Sequence, residues 1–159
     1  ELGIRSVLTT EVVNWCRSAV KEFDLARRLM RHTVTQQVLP KHVNSQLVMV
    51  RDPKVHELGP EGLLRLAEQI RDANFRVFVE RGELHLINRD GYWHGTDPFE
   101  LFDEITKTAP VDPSHAFYLG YELAKATTAL TLGKQYRQDQ ALQWGFLTVA
   151  ERSIHERRG

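Results

Sequence analysis

The sequence predicts a helix-rich α+β fold, in which a β-hairpin packs on helices and one strand–helix unit comes before it. Apolar residues alternate on both sides of Gly82, which is typical of a tight hairpin. The pairs Asp97-Pro98 and Asp112-Pro113 begin amphipathic segments, as helix caps do. A β-branched run at residues 4 to 9 precedes a long amphipathic segment, which indicates a strand leading into a helix.

The composition is that of one ordinary globular domain. A chain of 159 residues buries roughly 70% of its unfolded surface. The 21 basic and 21 acidic residues cancel, so the charge favours neither nucleic acid nor an anionic membrane as a partner. No run approaches the roughly 20 apolar residues that span a bilayer. The lone Cys16 excludes an internal disulfide and fits a cytoplasmic location.

The predicted strand–helix unit comprises a strand at residues 4 to 9 and a helix from Glu11 to about residue 36. By itself this strand has no parallel neighbour, so the unit resembles the last one of a larger α/β domain. The sequence begins without Met or a signal pattern, and we expect a fragment of a longer protein. One apolar helical face is formed by Val12, Cys16, Val20, Phe23, Ala26 and Met30.

The remaining elements follow in order along the chain. A short strand is predicted at residues 47 to 50, and a helix from Pro60 to near Asn74. The hairpin spans residues 75 to 81 and 83 to 89. Helices are then predicted from Pro98, from Pro113 to the Gly133 cap, and over residues 137 to 144 before Gly145, followed by a charged tail.

The helix after Asp112 carries a stripe of four polar side chains, His115, Tyr118, Glu122 and Lys125. Their spacing places them on one face, next to the apolar face. One interpretation is an ordinary surface ion pair between Glu122 and Lys125. The other is that the stripe lines a ligand site, with His115 held neutral near the helix N-terminus.

Two further segments contain candidate ligand-binding residues. The segment DGYWHGTD places His94 among aromatic and glycine residues, as in pocket-forming loops; alternatively, it is a connection whose Tyr92 and Trp93 cover the core. At the C-terminal end of the first strand, which is the active-site face of (β/α) barrels, lie four polar residues. They are Thr9, Thr10, Glu11 and Asn14, and helix capping by Thr10 is the simpler interpretation.

No catalytic residue, metal site or cofactor is predicted within this chain. Phosphate-binding, dinucleotide-binding and nucleophile-elbow motifs are absent from the sequence. The seven His residues include no helical pair at the four-residue spacing that metal sites use.

Several blocks of the sequence resemble the C-terminal part of dihydropteroate synthase-like proteins. These proteins contain a pterin-binding domain and are associated with tetrahydromethanopterin-linked one-carbon metabolism. The resemblance covers nearly the whole chain, and DPSHAFYLGYELAKA is its most specific block. The other blocks include GIRSVLTTEVVNWCRSAVKEFDLARRL, LPKHVNSQLVMVRDPKVHE, RGELHLIN, GTDPFELFDEI and QDQALQWGFL.

The resemblance implies three segments. Residues 1–36 would be the last strand and helix of a pterin-binding (β/α) barrel, residues 45–150 an accessory α+β domain, and residues 151–159 a charged tail. The rest of the barrel and further copies of the chain are then the expected partners. Dihydropteroate synthases carry an Arg-x-His motif on that last strand, whereas this sequence has Leu8, Thr9 and Thr10 there.

The implied function is pterin-related binding or biosynthesis, with pterin as a ligand of the full-length protein. That protein could be a pterin-related transferase, whereas the chain alone is expected not to be catalytic. The alternative is an interaction or oligomerisation module without small-molecule chemistry.

Overall fold

A computed structural model describes residues 3–13, 16–41, 43–44, 46–47, 52, 54–108, 110–152 and 156–157. The chain divides into two compact units. The first comprises Glu1–Met49 and Gln143–Val149, and the second comprises Val50–Leu142 and Ala150–Gly159. The described residues form four α-helices and one three-stranded antiparallel sheet, which confirms the predicted helix-rich α+β class.

The first unit contains helix α1, Ala19–Gln36. Its end agrees with the prediction, but it begins eight residues after the predicted Glu11 (19 − 11 = 8). Residues 4 to 9 form no strand, so that prediction is wrong for this chain. A strand needs a neighbour to accept its backbone hydrogen bonds, and the described residues of this unit offer none. The predicted strand at 47 to 50 lies, except for Leu47, outside the described residues.

The sheet of the second unit consists of β1 (Arg76–Glu80), β2 (Glu83–Asn88) and β3 (Gly91–Gly95) in chain order. The predicted hairpin is confirmed, and Glu80 pairs with Glu83 across its turn. The two turn residues, Arg81 and Gly82, have φ angles of 53° and 86°. Two positive φ angles are what a two-residue type I′ turn requires.

Strand β3 corrects the prediction of a loop or connection at residues 90 to 97. It pairs with β2, with Asn88 opposite Gly91 and His85 opposite His94. The Asn88 Oδ1 atom accepts hydrogen bonds from the amides of Asp90 and Gly91, at 2.8 and 3.2 Å. The asparagine side chain thereby stabilises a second tight turn, which returns the chain alongside β2.

Helices α3 (Pro98–Thr108) and α4 (Pro113–Leu132) begin where the sequence predicts, and α2 (Gly59–Gln69) begins one residue before the predicted Pro60. Asp97 and Asp112 accept hydrogen bonds from first-turn amides, and Gly133 ends α4 in the left-handed conformation. Helix α2 ends five residues before the predicted Asn74 (74 − 69 = 5).

The helix predicted over residues 137 to 144 is wrong. A turn lies at 138 to 140, and a 3₁₀ helix follows at Gly145–Leu147. The Gln138 side chain accepts from the Val77 amide at 2.9 Å and donates to the Phe75 carbonyl at 2.8 Å. These contacts with the β1 segment favour the turn over local helix formation.

The sheet packs against helices on both faces. On one face, Leu63 and Ile70 of the α2 segment pack with Ile87, Phe78 and Tyr92. On the other face, α3 contacts β3, and α4 contacts β1, β2 and α3. Leu84, Leu86 and Leu119 are fully buried in the second unit, so buried apolar side chains hold the sheet against its helices.

Candidate functional site

A cleft of about 370 Å³ lies between the first turns of α2 and the exposed end of one sheet face. Its apolar wall is formed by Pro60, Leu63 and Leu64. Its polar wall is formed by Arg81, Glu83, His85, Tyr92 and His94. A cleft of this volume is large enough to hold a small organic molecule.

The strand register brings the polar wall together. Glu83 and His85 are two residues apart on β2, and His94 lies directly opposite His85 on β3. Side chains two apart on a strand share a face, as do directly paired residues. The rings of His85 and His94 are stacked with their centroids 5.9 Å apart.

His85 is buried and has a hydrogen-bond contact at each ring nitrogen. Its Nε2 atom lies 3.2 Å from the Glu80 carbonyl oxygen, and its Nδ1 atom lies 2.9 Å from the Tyr92 hydroxyl. A carbonyl oxygen can only accept, so in neutral His85 the proton is on Nε2 and Nδ1 accepts from Tyr92. The backbone therefore sets the tautomer of this histidine.

The Glu83 carboxylate interacts with two other side chains of the polar wall, His94 and Tyr92. His94 Nδ1 lies 2.9 Å from Glu83 Oε2, and both side chains are about half exposed. Burial raises the pKa of Tyr92, and the negative charges of Glu83 and Glu80 raise it further. Tyr92 therefore remains a protonated hydrogen-bond donor at neutral pH.

Glu80 connects this wall to helix α2. Its carboxylate oxygens accept from the amides of Leu58 and Gly59, both at 2.9 Å, and the side chain is buried. These amides are among the donors that have no partner within a helix at its N-terminus. Glu80 therefore fixes the apolar wall of the cleft relative to the strand that carries the polar wall.

The stripe predicted on α4 contributes to a second cluster, which we call the α4 network: Tyr118, Glu122, Lys125, Tyr136, Asp139 and Glu151. Only 2% of Glu122 and 8% of Lys125 is exposed, so the interpretation as a surface ion pair is wrong. Lys125 Nζ lies 2.8 Å from both Glu122 Oε1 and Glu151 Oε2 and 3.1 Å from the Gln140 carbonyl. These three acceptors match the three protons of the ammonium group.

The α4 network contains two further hydrogen bonds, each donated by a tyrosine hydroxyl. The Tyr136 hydroxyl donates to Glu122 Oε2 at 2.6 Å, and the Tyr118 hydroxyl donates to Asp139 at 3.0 Å. Burial, followed by the charge of Glu122, raises the pKa of Tyr136. Burial acts to lower the pKa of Lys125, but the hydrogen bonds and charges of Glu122 and Glu151 outweigh it and raise that pKa.

The other predicted site residues lie apart from these clusters. His115 Nδ1 contacts the Asp112 carboxylate at the start of α4, so this stripe residue interacts with the helix cap. Thr9, Thr10 and Glu11 are exposed, and the Glu11 carboxylate accepts from the Val20 amide at 3.1 Å. A carboxylate near the first turn of α1 suits the helix dipole, so Glu11 takes the role predicted for Thr10. Asn14 lies outside the described residues.

Sequence reasoning identified His94 but missed its neighbours Arg81, Glu83, His85 and Tyr92. The available signal was the period-two pattern Glu83, His85, Ile87 followed by Asp-Gly, which is typical of a second hairpin. Continuing the meander by one strand would have placed His94 beside His85.

Comparison with known proteins agrees with the resemblance seen in the sequence. Residues 63–139 match the family described as PterinBD-DUF4346, which confirms the similarity to pterin-binding-domain proteins. The chain is 25% identical over 157 residues to the uncharacterized protein MJ0107 of Methanocaldococcus jannaschii, covering 87% of this chain and 30% of the relative. The chain thus spans about a third of the length of that curated relative. No solved structure gives a match.

Among the described residues, no helix has both the length and the apolar character needed to cross a membrane.

Proposed function

We propose that the chain is the C-terminal part of a dihydropteroate synthase-like protein and serves pterin-related binding or biosynthesis in one-carbon metabolism linked to tetrahydromethanopterin. The observation that carries this proposal is the match of residues 63–139 to PterinBD-DUF4346. The M. jannaschii relative is more than three times as long as the matched region, since that region covers 30% of it. This leaves room for a barrel outside the matched region. We place the protein in the cytoplasm because Cys16 is the lone cysteine of this chain.

In this proposal, residues 4 to 9 become the last strand of the pterin-binding barrel in the full-length protein. A neighbouring strand would accept the backbone hydrogen bonds that have no strand partner among the described residues. Thr9, Thr10, Glu11 and Asn14 would then lie at the ligand-facing end of the barrel. Leu8, Thr9 and Thr10 lack the cationic groups of the Arg-x-His motif, so ligand binding suits these residues better than condensation with an anionic leaving group.

The cleft offers a place for a pterin ring within the described domain. A pterin is flat, and its amino and ring N–H groups form a donor edge that complements a carboxylate such as Glu83. Leu63 and Leu64 provide an apolar surface for the ring, and Arg81 a cation for polar substituents. The buried acid and base of the α4 network bond to each other, which favours a structural role for them and binding, rather than turnover, by this chain.

Calorimetric titration of the chain with a dihydropterin and a tetrahydropterin tests the cleft. We expect saturable binding that weakens in Arg81→Gly, because glycine retains the positive φ of 53° while the cation is removed. Arg65→Ala is the matched control, since Arg65 is exposed on α2 and does not line the cleft. Binding that is equal in all three proteins would exclude the cleft, and absence of binding by both the chain and the full-length protein would exclude the pterin role.

A second candidate function is an interaction or oligomerisation module. It is favoured by exposed apolar side chains on α1, where Val20, Phe23 and Met30 are 54%, 46% and 52% exposed. Exposed apolar patches commonly mark contact surfaces.

A further inference from the structure

We propose that Glu83, His85 and His94 form a binding site for a divalent transition-metal ion of the zinc class. One potential ligand atom from each of the three side chains lies within 4.8 Å of the other two. The sequence predicts no such site because it has no helical His pair. Here, the two histidines come together across neighbouring strands.

The donor set is one that zinc uses. Two imidazole nitrogens and one carboxylate oxygen, with a fourth position left open, are typical of zinc sites that also bind a water or substrate. Neutral imidazole suits zinc, copper, iron and nickel, whereas magnesium and calcium prefer oxygen ligands alone. The open position would face the cleft, whose walls include all three side chains.

The surroundings of His85 prepare it to be a ligand. The Glu80 carbonyl accepts from Nε2, which leaves the lone pair of Nδ1 directed toward the Tyr92 hydroxyl. Metal-ligating histidines commonly donate their other ring N–H to a carbonyl or carboxylate in this way. Glu80 is itself held by two amides at the start of α2, so the orientation of the His85 ring is fixed before an ion binds.

Closing the site requires only a small movement. Bonds of about 2.0 to 2.1 Å place tetrahedral ligand atoms about 3.3 Å apart, which is shorter than the 4.8 Å limit within which these atoms lie. The Glu83 and His94 side chains are 42% and 54% exposed, so both can rotate toward buried His85 once their mutual contact opens. The ion would displace the Tyr92 hydroxyl from His85 Nδ1 and take the position between His94 and Glu83.

Titration of the chelator-treated, tag-free chain with Co²⁺ and Zn²⁺ tests the site. We expect one equivalent of Co²⁺ to bind with a visible absorption spectrum typical of tetrahedral coordination, and Zn²⁺ to displace it. His94→Ala and Glu83→Gln change half-exposed side chains and should keep the fold. Each should weaken binding about 100-fold, because loss of an outer-shell partner alone costs about 10- to 100-fold.

Two further variants complete the test. His56→Ala is the matched control, because His56 is exposed and lies outside the triad, and it should bind as the unchanged chain does. Tyr92→Phe removes a hydrogen bond that competes with the metal, so its affinity should be equal or higher. Absence of stoichiometric binding, or equal weakening by His94→Ala and His56→Ala, would overturn the proposal. Both proposals use Glu83, so the metal titration is carried out without pterin and the pterin titration without metal, and either proposal can fail alone.

Discussion

Lys125 shows how one residue connects distant parts of the second unit. Its ammonium group bonds to Glu122 one helical turn away and to Glu151, 26 positions along the chain. A buried charge is tolerated only when it is paired and hydrogen-bonded. The free energy of unfolding should therefore depend strongly on keeping both members of the buried pair, Glu122 and Lys125.

Lys125→Ala should lower the free energy of unfolding by about 3 to 5 kcal/mol, because it leaves the buried Glu122 carboxylate without its cation. Urea denaturation measures the change. Lys107→Ala, on the exposed surface of α3, should have little effect. The double variant Glu122→Gln/Lys125→Met removes both charges and should regain much of the lost stability. Equal losses in the Lys125 and Lys107 variants would contradict a buried pair.

The α4 network should lose stability at alkaline pH. The pKa values of Lys125 and Tyr136 are raised from 10.5 and 10.0. For each group, the stabilisation is fully present below the ordinary pKa and is lost as pH rises toward the raised value. Denaturation measured from pH 8 to 11 should therefore show the free energy of unfolding falling from about pH 10.

Tyr136→Phe separates the contribution of the hydroxyl from that of Lys125. It should cost about 1.5 to 3 kcal/mol at neutral pH, since a hydrogen bond to a charged group is lost, and should flatten the alkaline decline. Tyr121→Phe is the control, because Tyr121 is 45% exposed and its ring alone lies beside Lys125. An unchanged alkaline profile in Tyr136→Phe would exclude this tyrosine as a source of the decline.

At the scale of elements, Gln138 protects an edge of the sheet. Strand β1 has one neighbouring strand, β2. On the opposite edge of β1, the side-chain amide of Gln138 bonds to the Val77 N–H and to the Phe75 carbonyl. Exposed strand edges tend to pair with other molecules. The glutamine side chain therefore takes the place of a fourth strand at this point.

Gln138→Ala should lower the free energy of unfolding by about 1 to 3 kcal/mol, because it leaves the Val77 amide without its partner. Amide hydrogen exchange should be faster at Val77. Gln140→Ala is the matched control, since Gln140 is exposed and contributes its backbone carbonyl, which alanine retains. Equal exchange at Val77 in both variants would contradict the role of Gln138.

The elements that could be predicted from the sequence are those with local signals. Asp112 and Gly133 mark both ends of α4 because capping depends on neighbouring residues alone. The failed helix at 137 to 144 depends on Gln138 contacting a strand 61 positions away, which no local pattern reveals. Likewise, the spacing of Glu122 and Lys125 is the same in a surface pair and a buried one. The distinction comes from Tyr136 and Glu151, which lie elsewhere in the sequence.

At the scale of the whole molecule, the exposed face of α1 predicts self-association. Leu25 and Leu29 are buried, whereas Val20, Phe23 and Met30 remain about half exposed. A second copy of the chain, or the barrel proposed for the full-length protein, would cover them. Light scattering should detect a dimer or larger species, and Phe23→Asp should weaken it.

Lys21→Gln is the control for this prediction, because it changes the net charge by the same amount at an exposed position of α1. A chain that stays monomeric at high concentration would contradict self-association. An association that Phe23→Asp and Lys21→Gln alter equally would place the contact elsewhere.

The chain-order arrangement of the sheet has a consequence for folding kinetics. Each strand pairs with its neighbour in sequence, so the sheet requires only short loop closures, which form quickly. The bonds of Lys125 to Glu151 and of Gln138 to Val77 join positions 26 and 61 residues apart. The three-stranded sheet should therefore be structured in the transition state before these long-range bonds form. Substitutions in the Arg81–Gly82 turn should then mainly slow folding, while those at Lys125 should mainly speed unfolding.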